Sequence, residues 1–259
     1  MKYLFFDIDG TLKAGGYDNE YIPQSTKRAI ELLRRKDHFL AIATGRSEAM
    51  ARKFREELGF ENMVSDGGYG ITIGGELRGI EPLPRERALA LVDECRAKGF
   101  VWAIQVDNSD TRLAPDSRFE NFTRDVYMRT RIVEGLDAHD YPDIYKVYVA
   151  CLAPDEQRLD ALRHLPWCRF LDEYIFVEPA DKAYGIRRIL DNFGANPGDA
   201  IVFGDGINDL SMFVDGWTKV AMGNACAELK AKADIITTDV DDDGIWNACR
   251  ELGLIDAEE

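Results

Sequence analysis

Over the first 64 residues, unbroken apolar runs alternate with segments whose apolar side chains return every three or four positions. "KYLFF" (2–6) and "FLAIA" (39–43) read as strands buried on both faces. Between them "IPQSTKRAIELLRRK" carries Ala29, Ile30 and Leu33 on one helical face, with Pro23 near its start. "EAMARKFREELGF" predicts a second helix, stopped by Gly59. Buried strands alternating with amphipathic helices predict a parallel sheet covered on both faces.

After residue 64 the grammar changes. "YGITIGGELRGI" predicts a β-hairpin around Gly74-Gly75. From Glu81 to Ala180 the order is mixed: a helix "PRERALALVDECRAKG", a strand "FVWAIQV" and a polar, arginine-rich middle. A strand "IYKVYVACL", a helix "PDEQRLDALRHL" and short strands "CRFLD" and "YIFVE" follow. Alternation then resumes. "KAYGIRRILDNFG" is a helix, "DAIVFGDGIND" a buried strand ending in acids, "LSMFVDG" a helix and "KVAMGN" a strand. "ACAELKAKA" is a helix, "DIITT" a strand and "DDDGIWNACRELGL" a last helix, before a "DAEE" tail that reads as frayed. The expected fold class is α/β: a doubly wound, mainly parallel sheet (a Rossmann-like core) with an inserted α+β domain. The core takes residues 1–80 and 181–259, and the insertion residues 81–180.

Composition narrows the function. Hydrophobic residues at 46% and charged residues at 31% describe a soluble globular protein. No apolar run is long enough to cross a bilayer. Asp7 and Asp9, close behind the first apolar run, argue against a signal peptide, so a cytoplasmic location is expected. Cys95, Cys151, Cys168, Cys226 and Cys249 form no CxxC and read as reduced thiols, with neither a zinc site nor a disulfide framework. The net charge of −15 argues against nucleic acid as a partner. It permits a small phosphorylated substrate wherever a metal ion and a few cations reverse the field locally.

In open parallel sheets, chemistry sits at the carboxyl ends of strands. Asp7 and Asp9 follow the first strand, Thr44 follows the second, Lys182 opens the helix after the insertion, and Asp205, Asn208 and Asp209 follow "AIVFG". Aspartates converging on one point repel unless a hard divalent cation lies between them, and all-oxygen ligation suits Mg²⁺. A cation beside a carboxylate, a lysine and a hydroxyl is equipped for phosphoryl transfer. Asp7 is placed to be the nucleophile of an aspartyl-phosphate route. Asp9 is placed to protonate the leaving oxygen and later deprotonate water. Lys182 and Thr44 would balance charge on the transferred group.

Asp7-Ile8-Asp9-Gly10-Thr11, Thr44-Gly45-Arg46, Lys182 and Gly204-Asp205-Gly206-Ile207-Asn208-Asp209, in that order, resemble the haloacid dehalogenase-like phosphatase superfamily. Within it the chain looks like the Cof-type sugar-phosphatase group, whose α/β cap lies between the second and third motifs. The resemblance implies a Mg²⁺-dependent phosphatase acting on small phosphorylated metabolites, as a monomer or homodimer, with no membrane or nucleic-acid partner. It implies metal ligation by Asp7, the Asp9 main-chain carbonyl and Asp205, supported from behind by Asp209. Phosphate contacts are implied for Ile8, Thr44, the Gly45 backbone, Lys182 and Asn208, and a mobile cap is implied to set substrate choice.

Two positions depart from the family: Asp66-Gly67-Gly68 replaces a common Asn-Gly-Ala, and Ala183 replaces a glycine, with Gly185 two residues on. A phosphomutase or phosphotransferase using the same intermediate, and a receiver-like phosphoacceptor, remain as rivals. "DVDDDG" (239–244) lacks the glutamate that closes a calcium loop and reads as a solvated loop and helix cap. Arg112, Arg118, Arg124, Arg129 and Arg131 read mainly as a solvated face. Trp102, Trp167, Trp217 and Trp246 read as packing residues.

Overall fold

The structure, a computed structural model, describes residues 1–15 and 19–256; the end of the tail read as frayed, residues 257–259, lies outside them. The chain divides into two units. One comprises Met1–Arg46, Ala51–Gly79 and Asp181–Glu259, the other Ser47–Met50 and Ile80–Ala180.

In chain order the first sheet begins with β1 (Tyr3–Phe6), α1 (Gln24–Arg35), β2 (Phe39–Ala43), α2 (Glu48–Glu57), β3 (Asn62–Ser65), β4 (Gly70–Ile73) and β5 (Glu76–Ile80). The second unit supplies α3 (Arg85–Lys98), β6 (Val101–Gln105), β7 (Thr111–Ala114), α4 (Arg118–Thr123), β8 (Arg129–Ile132), β9 (Lys146–Ala150), β10 (Trp167–Leu171) and β11 (Tyr174–Val177). The first unit is completed by α5 (Lys182–Asn192), β12 (Ala200–Gly204), β13 (Thr218–Ala221), α6 (Ala227–Lys230), β14 (Ile235–Ile236) and α7 (Gly244–Glu251).

The first sheet has eight strands in the order β14-β13-β12-β1-β2-β3-β4-β5. Pairing is parallel from β14 to β3, and β4 runs antiparallel to β3. β1 therefore lies where the winding reverses, with β2 on one side and β12 on the other. Crevices at such reversals open at the strands' carboxyl ends. Alternation along β1 decides which face each side chain joins. Leu4, Phe6 and Ile8 join the core shared with α1 and α7, whereas Tyr3 and Phe5 join the core built on Ile186, Ile189 and Leu190 of α5. Asp7 shares the parity of Phe5, so it emerges on the α5 side.

The second unit holds six strands in the order β10-β11-β9-β6-β7-β8. α3 packs its Leu91, Val92 and Cys95 against Ile104, Val147 and Ile175 on one face. Phe119 of α4 packs with Tyr148 and Tyr174 on the other. Three expectations need correction. Residues 154–165 form two 3₁₀ segments, Asp155–Arg158 and Asp160–His164, instead of one helix. Between them Leu159 is extended and buried, and the Glu94 carboxylate accepts from the Asp160 and Ala161 N–H groups, ending the helical ladder. In the first unit "LSMFVDG" is a 3₁₀ segment, Ile207–Met212, that stops at Phe213. Third, Arg112 is fully buried, not solvated: its Nη1 lies 2.6 Å from Asp125 Oδ2 and its guanidinium sits over Phe119. The arginine-rich middle is β7, α4 and β8, built around that pair.

α5 is seated by close backbone approach. A Cβ added at Gly185 would lie 2.5 Å from both the Gly68 carbonyl oxygen and Val64 Cγ1. Gly185→Ala is therefore expected to lose a net ~1–2 kcal/mol, overpacking outweighing the better helix propensity of alanine. Urea unfolding checks this, and an unchanged or raised midpoint contradicts it.

Candidate active site

Lys182 is the first residue of α5, where the helix dipole disfavours a cation. It is nonetheless 1% exposed, because two carboxylates receive it. Its Nζ lies 2.6 Å from Asp7 Oδ1 and 2.6 Å from Asp209 Oδ1. Asp7 leaves the end of β1 toward α5, and Asp209 is held by the turn after β12. The second Asp209 oxygen accepts from the N–H groups of Asp205 and Gly206, both at 2.9 Å. Asp209 thus ties the lysine to the backbone that carries Asp205.

Asp205 faces Asp7 from the neighbouring strand. Its Oδ1 accepts from Thr11 Oγ1 at 3.1 Å. Asn224, which donates to the Gly10 carbonyl at 2.9 Å, lies 3.5 Å from the other oxygen. Gly10 has φ +80°, and a Cβ there would overlap the Asp205 carboxylate, so both conformation and space require glycine. Ligand oxygens of Asp7, Asp205 and Asp209 all fall within 4.8 Å of one another.

The remaining expected residues surround this cluster. Thr44 is buried at the carboxyl end of β2, its Oγ1 accepting from the Arg46 N–H at 3.1 Å. Gly45 follows it in the same turn. Asn208 is exposed on the 3₁₀ segment. The Ile8 side chain points away into the apolar core, leaving only its backbone for a ligand. Asp9 is half-exposed and paired with Arg46 and Lys13. Sequence reading did not single out Lys13 or Asn224, and it used Thr11 only as the end of Asp-Ile-Asp-Gly-Thr and Arg46 only as the end of Thr-Gly-Arg. The signal for Arg46 was its place in that motif; Lys13 and Asn224 offered none.

Both departures from the family acquire a structural meaning. Asp66 adopts φ +51°, donates its N–H to the Arg46 carbonyl at 2.8 Å and accepts from Ser65 Oγ at 2.8 Å. The Gly67 carbonyl accepts from the Asp181 N–H at 2.8 Å, and a Cβ at Gly68 would overlap the Asp181 carbonyl. This turn therefore sets the position of Lys182. Ala183 packs in the apolar core, and the close approach that requires a glycine falls on Gly185.

Three comparisons bear on this site. The family described as haloacid dehalogenase-like hydrolase matches residues 4–249. A Bacillus subtilis (strain 168) protein named "Putative phosphatase YkrA" is 32% identical over 269 residues, spanning 98% of each chain. Among solved structures, a hypothetical protein of Geobacillus kaustophilus HTA426 superposes with a TM-score of 0.85 at 33% identity, covering 98% of this chain and 99% of that one. The HAD subclass IIB sugar phosphatase BT4131 gives 0.80 at 27% identity, covering 98% and 100%.

The electrostatics show what the cluster lacks. Three carboxylates against one ammonium leave a formal −2 when all are ionised, the charge one divalent cation would balance. Burial raises the Asp7 carboxyl well above its ordinary range, against the pull of Lys182 and with the push of Asp209 and Asp205. Burial, then Asp209, raises Asp205 to about 7. Lys182 stays protonated, since Asp209 and Asp7 outweigh the effect of its burial. The oxygen donor set fits a hard cation. An unfolded aspartate ionises near ~4, so Asp205 withdraws stability from the metal-free protein as pH rises from there toward 7. Stabilisation by added Mg²⁺ is expected to grow between about pH 5 and about pH 7.5, and to be largely lost in Asp205→Asn. Thermal unfolding checks this; equal stabilisation at both pH values contradicts it.

Proposed function

The chain belongs to the haloacid dehalogenase-like hydrolases, and from that membership and the cluster around Lys182 we propose that it is a Mg²⁺-dependent phosphatase of small phosphorylated metabolites such as sugar phosphates. The observation that carries the reading is the burial of Asp7 against Lys182, beside Asp205, at the mouth of β1. A buried carboxylate with one oxygen on a lysine and a second acid, Asp205, within ligand distance suits a nucleophile better than a structural ion pair. The phosphatase names carried by the Bacillus subtilis relative and by BT4131 support the same class.

In this reading Asp7 attacks phosphorus and forms an aspartyl-phosphate as the ester P–O bond breaks. Asp9 gives a proton to the departing oxygen, then takes one from the water that attacks phosphorus. Inorganic phosphate leaves and Asp7 is regenerated. Lys182 and the Thr44 hydroxyl neutralise and orient the phosphoryl oxygens, with Asn208 and the Ile8 and Gly45 backbone completing the cradle. Asp7, Asp205 and the Asp9 carbonyl would hold Mg²⁺, which when bound offsets the charge between nucleophile and phosphoryl oxygens. Asp209 orients Lys182 and the Asp205 backbone. Residues 1–80 and 181–259 act as the catalytic core, and residues 81–180 as a cap that sets substrate choice.

An initial-rate screen over phosphate esters with Mg²⁺ tests the activity, with release of inorganic phosphate as the expected product. Transfer of phosphate to a second hydroxyl instead would favour a mutase. Asp7→Asn keeps shape and removes one buried negative charge. It is expected to stay folded while turnover falls about 10³-fold or more. Near-normal turnover in that variant overturns the nucleophile assignment. EDTA is expected to abolish turnover and Mg²⁺ to restore it; a fully active chelated enzyme removes the cation from the proposal.

A further inference from the structure

The mechanism leaves one strong interaction of the site unused. Arg46 Nε lies 2.8 Å from Asp9 Oδ2 and Arg46 Nη2 lies 2.7 Å from Asp9 Oδ1. Lys13 Nζ approaches the same Oδ1 at 3.0 Å. Exposure is distributed unusually: the Asp9 side chain is 45% exposed, whereas Arg46 is 7% and Lys13 3% exposed. Ordinary surface pairs expose the long cations; here two cations are sunk into the protein and the anion rides on top.

Each cation is also fixed by its own surroundings. The Arg46 guanidinium lies 4.9 Å from the centroid of the Phe54 ring. Its main chain is bonded on both sides, N–H to Thr44 Oγ1 and carbonyl from the Asp66 N–H. Lys13 closes the turn that carries Asp9, donating to the Ile8 carbonyl and accepting from the Gly10 N–H. Its ammonium lies 3.3 Å from Glu20. An exposed aspartate alone would sample several rotamers. A guanidinium fork fixes both the rotamer and the plane of the carboxylate, which an ammonium cannot do.

We propose that Arg46 is a positioning residue for Asp9, its fork, seconded by Lys13, holding the carboxyl group in the orientation from which it exchanges a proton with the leaving oxygen. The inference rests on Asp9 being the acid/base group. Against the effect of its burial, Arg46 and Lys13 hold the Asp9 carboxyl below its ordinary range. Asp9 therefore takes a proton from solvent when the phosphate ester binds, passes it to the ester oxygen as the P–O bond breaks, and recovers one from the attacking water; Arg46 and Lys13 keep theirs. The role also links the first motif to the second, since Arg46 places Asp9 while its neighbour Thr44 faces the phosphoryl group.

The test is a series of substituted phenyl phosphates, from p-nitrophenyl, whose leaving group needs no proton, to p-methoxyphenyl, whose leaving group does. The slope of log kcat/KM against leaving-group pKa is expected to be shallow in the wild type and steep in Asp9→Asn. Arg46→Ala is expected to be steep as well, losing about tenfold or more at the p-methoxyphenyl end and little at the p-nitrophenyl end, through kcat more than KM. Arg46→Lys keeps the buried charge and serves if Arg46→Ala does not fold; it too is expected to stay steep. A uniform loss across the series, or a wild-type slope in both Arg46 variants while Asp9→Asn is steep, overturns the positioning role. A shallow slope in Asp9→Asn overturns the acid role itself, and this inference with it.

Discussion

Everything at the mouth of β1 depends on one buried ammonium. Lys182 sits between Asp7 and Asp209, and all three side chains are almost wholly removed from water. Two carboxylates cannot be buried there without it, and a lysine cannot be buried at a helix start without them. The arrangement is complete for one of the acids only. Asp209 spends its other oxygen on two backbone N–H groups, while Asp7 and Asp205 keep oxygens turned toward the same small space. The site is thus structurally finished behind Lys182 and electrostatically unfinished in front of it. A cation and a phosphoryl group are what would complete it.

The backbone around the lysine shows how tightly that position is fixed. The Asp66–Gly68 turn bonds the Arg46 carbonyl on one side and the Asp181 N–H on the other, linking the strand end that carries Thr44 to the helix start that carries Lys182. Gly68 and Gly185 let turn and helix touch. Gly10 does the same for the first and fourth motifs by leaving room for Asp205. Motifs far apart in sequence are held in register by backbone contacts that admit no side chain, so small errors in their relative position are not tolerated.

Much of this was legible in the chain. Continuous apolar runs located β1, β2 and β12, since strands buried on both faces cannot afford polar residues. Asp7, Lys182, Asp205 and Asp209 were legible because carboxylates and a lysine stand where such strands and helices meet. What escaped was set by partners distant in sequence. The 154–165 segment has a helical period, but Glu94 on α3 claims two of its N–H groups and Leu159 turns inward. Arg112 looks like a solvated arginine until Asp125, thirteen residues on, is found buried beside it. The Arg46–Asp9 fork joins residues 37 apart and leaves no trace in local spacing. Gly185 looked like an offset of the family glycine, and only the position of the Gly68 carbonyl explains it.

The central claim, that Asp7 is the atom-bonding partner of a phosphoryl group, has a direct chemical readout. Asp9→Asn should still be phosphorylated by p-nitrophenyl phosphate, whose leaving group needs no acid, but should lose the phosphate slowly. Acid quench of that variant, borohydride reduction and peptide mass spectrometry are expected to show homoserine in place of aspartate at position 7. Modification at another carboxylate, or none while p-nitrophenol is being released, would contradict the account.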